Sequence, residues 1–260
     1  MKLVAGLCLL LWSLAAAAQP RTVFVEEMTW TEVRDAIAAG TTTALYYAGS
    51  TEQNGPHMVL GKHNLIARHV AERIALRLGN ALVYPALPFA PTGNPVLKTG
   101  HMRFPGTVSV TEATFGAVAR EVTRSALAAG FRQVVLMGDH GGGQDILSRV
   151  AKELDREWNA KGARVAYVPD VYFQALDLAT KELVRLKLPT GSHAEIIDTS
   201  ELMYVDKSSK GLRRDKIAAG NARNGVDGDP RKATPELGAR FIEYKVKSAV
   251  DQIRILLPQR

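Results

Sequence analysis

The order of short apolar runs and amphipathic stretches constrains this chain more than any other feature. Thr43 to Ala48 (TALYYA), Ala81 to Ala86, Gln133 to Met137 (QVVLM) and Arg164 to Val168 are short runs of strand type. Apolar runs of this length, bounded by turn residues, fit strands buried on both faces. Helix signals lie between them. Thr29 to Glu32 has the spacing of a capping box, with Val33, Ala36 and Ile37 at helical intervals and Gly40 as a stop. Asn64 stands where it would cap a helix with the stripe Ile66, Val70, Ile74 and Leu78. Ser109 to Glu112 has capping-box spacing again, ahead of Phe115, Val118 and Val122. Leu147, Val150, Leu154 and Trp158 form another stripe. Thr234-Pro235 opens a terminal helix with Ile242, Val246, Ala249 and Ile253 on its buried face. Asp170 to Asp206 shows no single period. This alternation predicts an α/β sandwich: one domain, a largely parallel sheet and helices on both faces.

The amino terminus has a different character. Lys2 precedes a mostly apolar run, Leu3 to Leu14, and Ala15 to Ala18 precede Gln19-Pro20. This reads as a signal peptide over residues 1–18, cleaved after Ala18. The run is shorter than the roughly 20 residues that span a bilayer, so cleavage is expected rather than a stable membrane anchor. The expected location is outside the cytoplasm, periplasmic or secreted. Cys8, the only cysteine, lies in this segment, so the domain over residues 19–260 carries no thiol. Any site in it must be built from His, Asp and Glu. The net charge of +7 falls to +6 with the loss of Lys2. The basic residues are scattered, and the densest group, Lys210, Arg213, Arg214 and Lys216, has no interleaved aromatics. That is the pattern of a solvated loop, and no nucleic-acid partner is expected.

Ligands of such sheets bind beyond the carboxyl ends of the strands. Two polar loops fall there: Glu52 to His57, with His63 close behind, and Asp139 to Gly143. His101 and His193 also fall in loops or at element edges. Glu52, His63 and His140 form a chemically sensible donor set for a zinc-like ion with one position open to water. No HExxH helix accompanies them, and a His-rich polar loop is the plainer reading of the spacing. Gly141 to Gly143 match neither GxGxxG nor a P-loop, so they are expected to serve close backbone approach. No G-x-S-x-G supports a serine hydrolase.

Five segments, in order, resemble the creatininase (creatinine amidohydrolase) family. Gly49 to His57 (GSTEQNGPH) resembles the family's G-S-x-E-Q-H-G-x-H loop, and His101 to Thr107 (HMRFPGT) its H-x-x-F-P-G-T segment. Gly138 to Gly143 (GDHGGG) resembles N-G-H-G-G-N. His193 to Ser200 (HAEIIDTS) resembles H-A-G-x-x-E-T-S, and Gly225 to Pro230 (GVDGDP) a G-V-x-G-D-P turn. The resemblance implies a three-layer α/β/α fold, a homo-oligomer and often a hexamer. It also implies hydrolysis of a C–N bond in a small amide-type substrate by a two-metal site. Glu52 and His140 match ligand positions. Asn54 stands where the family has a ligand His, His63 where it has a bridging Asp, and Asp198 where it has Glu. Asp139 replaces the Asn before the ligand His. His193 matches the residue assigned to proton transfer.

Two functional expectations follow. In the first, Glu52, His63 and His140 hold one ion, zinc before manganese. Asp198 is then a fourth ligand or, like Asp139, a partner that orients an imidazole. His193 acts as general acid/base, while Asn54, His57 and His101 line or support the substrate site. In the second, the altered ligands leave a catalytically inactive small-molecule binding protein. The direction of His63 separates them: toward Glu52 and His140 for a rebuilt single-metal site, toward solvent for a broken one.

Overall fold

The computed structural model describes residues 21–221 and 223–257. The expected signal peptide, residues 1–18, lies outside them. Four strands form one parallel sheet: β1 (Thr43–Ala48), β2 (Ala81–Val83), β3 (Gln133–Gly138) and β4 (Arg164–Tyr167), in the order β2-β1-β3-β4. Every residue of β1 is buried, as a strand covered on both faces requires. Alternate side chains then sort the core into two halves. Leu45 and Tyr47 of β1 meet Val135 and Met137 of β3 under α2 (Lys62–Leu78) and α7 (Pro235–Leu256). Ala44, Tyr46 and Ala48 meet Val134 and Leu136 under α1 (Trp30–Ala38), α3 (Glu112–Ala129) and α4 (Gln144–Asn159). The layers are therefore α/β/α. A smaller apolar cluster joins α5 (Phe173–Arg185) and α6 (Ile196–Val205) to the start of α7. No helix of the described residues is long and apolar enough to cross a membrane.

Local chemistry explains where the elements begin and end. Thr29 and Glu32 make the reciprocal capping box at α1. Thr234 caps α7, with Pro235 at its first position. Three boundaries differ from the sequence expectation. Helix α2 begins at Lys62, two residues before Asn64, whose amide reaches back to Thr51 Oγ1 at 3.2 Å. Thr111 rather than Ser109 caps α3, and the Ser109 hydroxyl instead accepts the Thr92 N–H at 3.0 Å. Strand β2 stops at Val83, because Pro85 has no N–H to continue the ladder.

The topology sets the position of the site. From β1 the chain first moves to β2 on one side, then to β3 on the other. The carboxyl ends of β1 and β3 therefore open a crevice at the point where strand order reverses, where ligands of such sheets bind. The two ends are tied together: Ala48 pairs with Gly138, and the Asp139 N–H donates to the Ala48 carbonyl at 2.8 Å.

Candidate active site

The five segments singled out in the sequence converge on this crevice, although up to 172 residues separate their partners. Glu52, at the end of β1, is buried. Its Oε2 lies 2.7 Å from His140 Nε2 and accepts from Ser50 Oγ at 3.1 Å. Its Oε1 faces His63 Nε2 at 3.2 Å and His101 Nε2 at 3.9 Å. The rings of His63 and His140 meet edge to face at a centroid distance of 5.5 Å. His63 thus points inward, at Glu52 and His140, rather than to solvent.

The hydrogen bonds fix which atom of His63 is free. Its Nδ1 lies 2.8 Å from Asp139 Oδ2, and a carboxylate only accepts, so Nδ1 carries a hydrogen. The neutral ring then turns a lone pair at Nε2 toward the Glu52 carboxylate. Two lone pairs at that separation require a cation between or beside them. In the metal-free protein a proton serves, and the pKa of His63 is raised: burial and the Lys62 charge depress it, but Asp139 and Glu52 outweigh them. Burial would raise Glu52, yet hydrogen bonds and charge from His140 and His63 hold it well below the usual carboxylate range. A divalent ion supplies the same missing charge, and the arrangement of carboxylate, imidazole and ligand atom is a common metal-site support. The residues present therefore fit a metal ion.

Asp139 is anchored from behind. Its Oδ1 receives Lys245 Nζ at 2.7 Å and the Tyr47 hydroxyl at 3.4 Å. Lys245, on α7, also pairs with Glu201 Oε2 at 2.8 Å. A buried charged chain thus runs from α6 through α7 to the ends of β3 and β1.

His101 has the complementary tautomer. The Gly55 N–H donates to Gln53 Oε1 at 2.9 Å and Gln53 Nε2 donates to the Gly225 carbonyl at 3.0 Å, which orients the Gln53 amide. Gln53 Nε2 then donates to His101 Nδ1 at 2.8 Å. His101 must carry its hydrogen on Nε2, facing Glu52. Glu52, His101 and His140 present ligand atoms within 4.8 Å of one another. By its hydrogen bonds His101 is a donor at Nε2, and so is His140 in the metal-free protein, because the Gly142 N–H donates to its Nδ1 at 2.9 Å. With an ion at Nε2 the His140 hydrogen would sit on Nδ1, which also faces the Gly142 carbonyl at 3.3 Å. His193 stacks on His101 at a centroid distance of 4.3 Å and donates from Nε2 to the Gln53 carbonyl at 2.9 Å, leaving Nδ1 as an acceptor.

The remaining sequence candidates lie nearby with other partners. Asp198 stands apart from the Glu52 group: Oδ1 pairs with Lys62 Nζ at 2.7 Å and Oδ2 accepts the Ala194 N–H at 2.7 Å. Asn54 is fully buried and spends its Nδ2 on the Glu52 carbonyl at 2.8 Å. His57 is also fully buried and meets Thr199 Oγ1 at 3.0 Å. Sequence reading missed Gln53, Lys62, Glu201 and Lys245.

A cavity of about 580 Å³ opens over these groups. Glu52, His101, His140 and His193 line its floor, and Arg103, Tyr172, Leu176 and Asn221 are among its walls. This volume suits a small organic molecule or a short peptide segment.

The glycines serve close approach, as expected. A Cβ on Gly142 would stand 2.1 Å from the Pro91 carbonyl oxygen and 2.9 Å from the His140 ring, while the Gly142 N–H donates to His140 Nδ1 at 2.9 Å. Gly142→Ala is therefore expected to lower stability by about 1–3 kcal/mol through overpacking. Urea unfolding of the variant, with metal affinity measured in parallel, checks this.

Burial, with the Lys62 charge, pushes the pKa of His193 down to about 4 from 6.5. Below pH 6.5 the unfolded chain takes up a proton that the folded chain refuses. This contribution to stability is complete above the unfolded value and is lost as the pH falls toward 4. His193→Gln is expected to remove up to about 3 kcal/mol of acid-side slope from the metal-free protein. Urea midpoints at neutral pH and at the lower end of this window measure it.

A carboxylate–histidine cluster that could hold a metal ion stands at the switch point of a parallel α/β/α sheet, and the relatives that the chain matches are hydrolases by name. A family sequence model described as creatinine amidohydrolase matches residues 26–253, and the chain belongs to the creatininase family. It is 35% identical over 120 residues to creatinine amidohydrolase of Pseudomonas putida, a stretch that is 46% of this chain and 45% of that enzyme. It is 28% identical over 217 residues to the mycofactocin precursor peptide peptidase of Mycolicibacterium smegmatis, covering 82% of this chain and 84% of the peptidase. Among solved structures, a creatininase variant of zinc–zinc type overlays with a TM-score of 0.76 at 23% identity, covering 92% of this chain and all of the other. A manganese creatininase gives 0.75 at 24% identity, with 92% of this chain and 100% of the other covered. These likenesses carry the fold.

Proposed function

We propose that this chain is an exported hydrolase of a C–N bond in a small amide or short peptide, and that it works with one divalent ion. The observation that carries the reading is His63 Nε2 held 3.2 Å from Glu52 Oε1 while its Nδ1 is spent on Asp139 at 2.8 Å. Glu52, His63 and His140 hold the ion. Two imidazoles and a carboxylate suit zinc best, with manganese the alternative. The bound ion supplies Lewis acidity and lowers the pKa of a water at the site.

The chain's own residues do the rest. Asp139 keeps the His63 hydrogen on Nδ1, so that Nε2 stays available. Glu52 keeps its negative charge across the working pH range, because His140 and His63 hold its pKa down. His193, kept neutral because burial and the Lys62 charge hold its pKa at about 4, presents Nδ1 as a hydrogen-bond acceptor that orients the attacking water. His101 donates from Nε2 toward the carbonyl or departing nitrogen of the substrate, in an orientation held by Gln53. Asp198 is assigned to Lys62 rather than to the ion. The cavity wall, with Arg103 and Asn221, selects the substrate. The two relatives named above are a creatinine amidohydrolase and a peptide peptidase, and both classes of bond belong in the assay.

The test is hydrolysis of a panel of cyclic amides, linear amides and short peptides by protein beginning at Gln19. Cleavage that stops on chelation and returns with zinc or manganese supports the reading. Metal-loaded protein that binds panel compounds and cleaves none of them favours the binding-protein alternative. Export is tested by amino-terminal sequencing of the mature form after cell fractionation. Assembly as a homo-oligomer, possibly a hexamer by family resemblance, is read by light scattering.

A further inference from the structure

Lys62 is a fully buried lysine at the first position of α2, next in sequence to His63. Both facts work against it. A buried ammonium needs a partner, and the amino-terminal end of a helix disfavours a cation. Among the described residues its one carboxylate partner is Asp198, at 2.7 Å, in an ion pair that is not an aligned hydrogen bond. The second Asp198 oxygen is taken by the Ala194 N–H. The Lys62 charge reaches well into the site, where it adds to burial in depressing His57, His101 and His193.

We infer that the Lys62 ammonium, paired with Asp198, is a built-in cation that occupies the place of a second divalent ion. The inference rests on the single-ion reading above. The side chains around Lys62 are poor or occupied donors for a further ion. The buried Glu195 carboxylate caps α6, accepting the Ile197 N–H at 2.8 Å and the Asp198 N–H at 3.3 Å. Asn54 offers only an amide oxygen; its Nδ2 is bound to backbone carbonyls and its Oδ1 is buried without a partner. His57 offers a single buried Nδ1, since its Nε2 is bound to Thr199. His63 has one lone pair, and that faces Glu52. Each Asp198 oxygen already accepts one donor, and Lys62 neutralises its charge. An ion entering here would meet a fixed positive charge in a dry environment, where repulsion is poorly screened. Lys62 therefore supplies positive potential beside the substrate site while limiting the ion count to one.

The experiment counts ions and measures their affinity. Metal-free wild-type protein is loaded with manganese or zinc, desalted and analysed by mass spectrometry. Manganese-loaded samples are also examined by electron paramagnetic resonance. Wild-type protein is expected to hold one ion per chain and to give a six-line mononuclear manganese spectrum. Lys62→Met removes the charge with little change in shape and is expected to bind its first manganese at least tenfold more tightly. Two ions in wild-type protein, or a spin-coupled spectrum, would overturn the inference while leaving a metal hydrolase in place. A folded Lys62→Met with wild-type affinity and count would also overturn it. Wild-type protein that takes up no ion would remove the single-ion reading itself. The wild-type count requires no variant, so the inference stays open to refutation even where Lys62→Met fails to fold.

Discussion

Glu52→Gln is expected to abolish tight metal binding and to reduce hydrolysis by more than the roughly 10–100-fold typical of losing a residue that merely orients a ligand. Glu52 supplies the negative charge at the centre of the cluster: Oε2 faces His140, and Oε1 faces His63 and His101. Glutamine keeps the shape but leaves one neutral oxygen and one donor amide. That amide would point hydrogens at imidazole nitrogens that must offer lone pairs to an ion. The fold should survive, because the site is held from behind by Asp139, Lys245 and Glu201 rather than by Glu52. The informative result is thus a folded, metal-poor and inactive protein. Isothermal titration with zinc and manganese, alongside circular dichroism, reads both halves. In the same variant the imidazolium form of His63 loses one of its two carboxylates, so its pKa should fall; NMR titration of the metal-free protein follows it.

Lys245→Met is expected to destabilise the protein by about 3–5 kcal/mol, the effect of breaking a buried ion pair by removing one member. Lys245 holds two buried carboxylates, Asp139 at 2.7 Å and Glu201 at 2.8 Å. Without it they face each other unpaired. Burial already pushes Glu201 up to about 7 despite the lysine, so Glu201 would take up a proton in the variant. Asp139 would lose a donor and hold His63 less firmly, so metal affinity should fall together with stability. Adding Glu201→Gln to Lys245→Met removes one of the stranded charges and should recover part of the loss. Urea denaturation of wild type, single and double variants measures this, and equal stability of wild type and Lys245→Met would show that the buried chain is not a structural tie.

The layers were readable wherever pattern and local chemistry agreed. The run TALYYA gave β1 with its bounds, and Thr29, Glu32 and Thr234-Pro235 marked helix starts that the structure has. Helices α5 and α6 were not legible. In α6 the polar residues Thr199, Ser200 and Glu201 are buried with the apolar ones, which erases the period. At the site, loop histidines and Glu52 stood out because polar loops at strand ends are where ligands bind. Gln53 did not, since its role is to orient His101 and accept from His193 across three segments. Lys245 and Lys62 did leave signals. Lys245 interrupts the buried stripe of α7 between Phe241 and Ala249, and Lys62 is a cation at a helix start. Each is a charge placed where elementary energetics disfavours one, and each is paired with an acid at the site.

The most direct test of the central claim is anomalous X-ray scattering from crystals of zinc- or manganese-loaded protein, collected on both sides of the metal edge. One peak per chain, within bonding distance of a Glu52 carboxylate oxygen, His63 Nε2 and His140 Nε2, with Lys62 still on Asp198, is the predicted result. A peak ligated by Asp198 and Asn54, two peaks in one chain, or no peak within reach of Glu52 would contradict it.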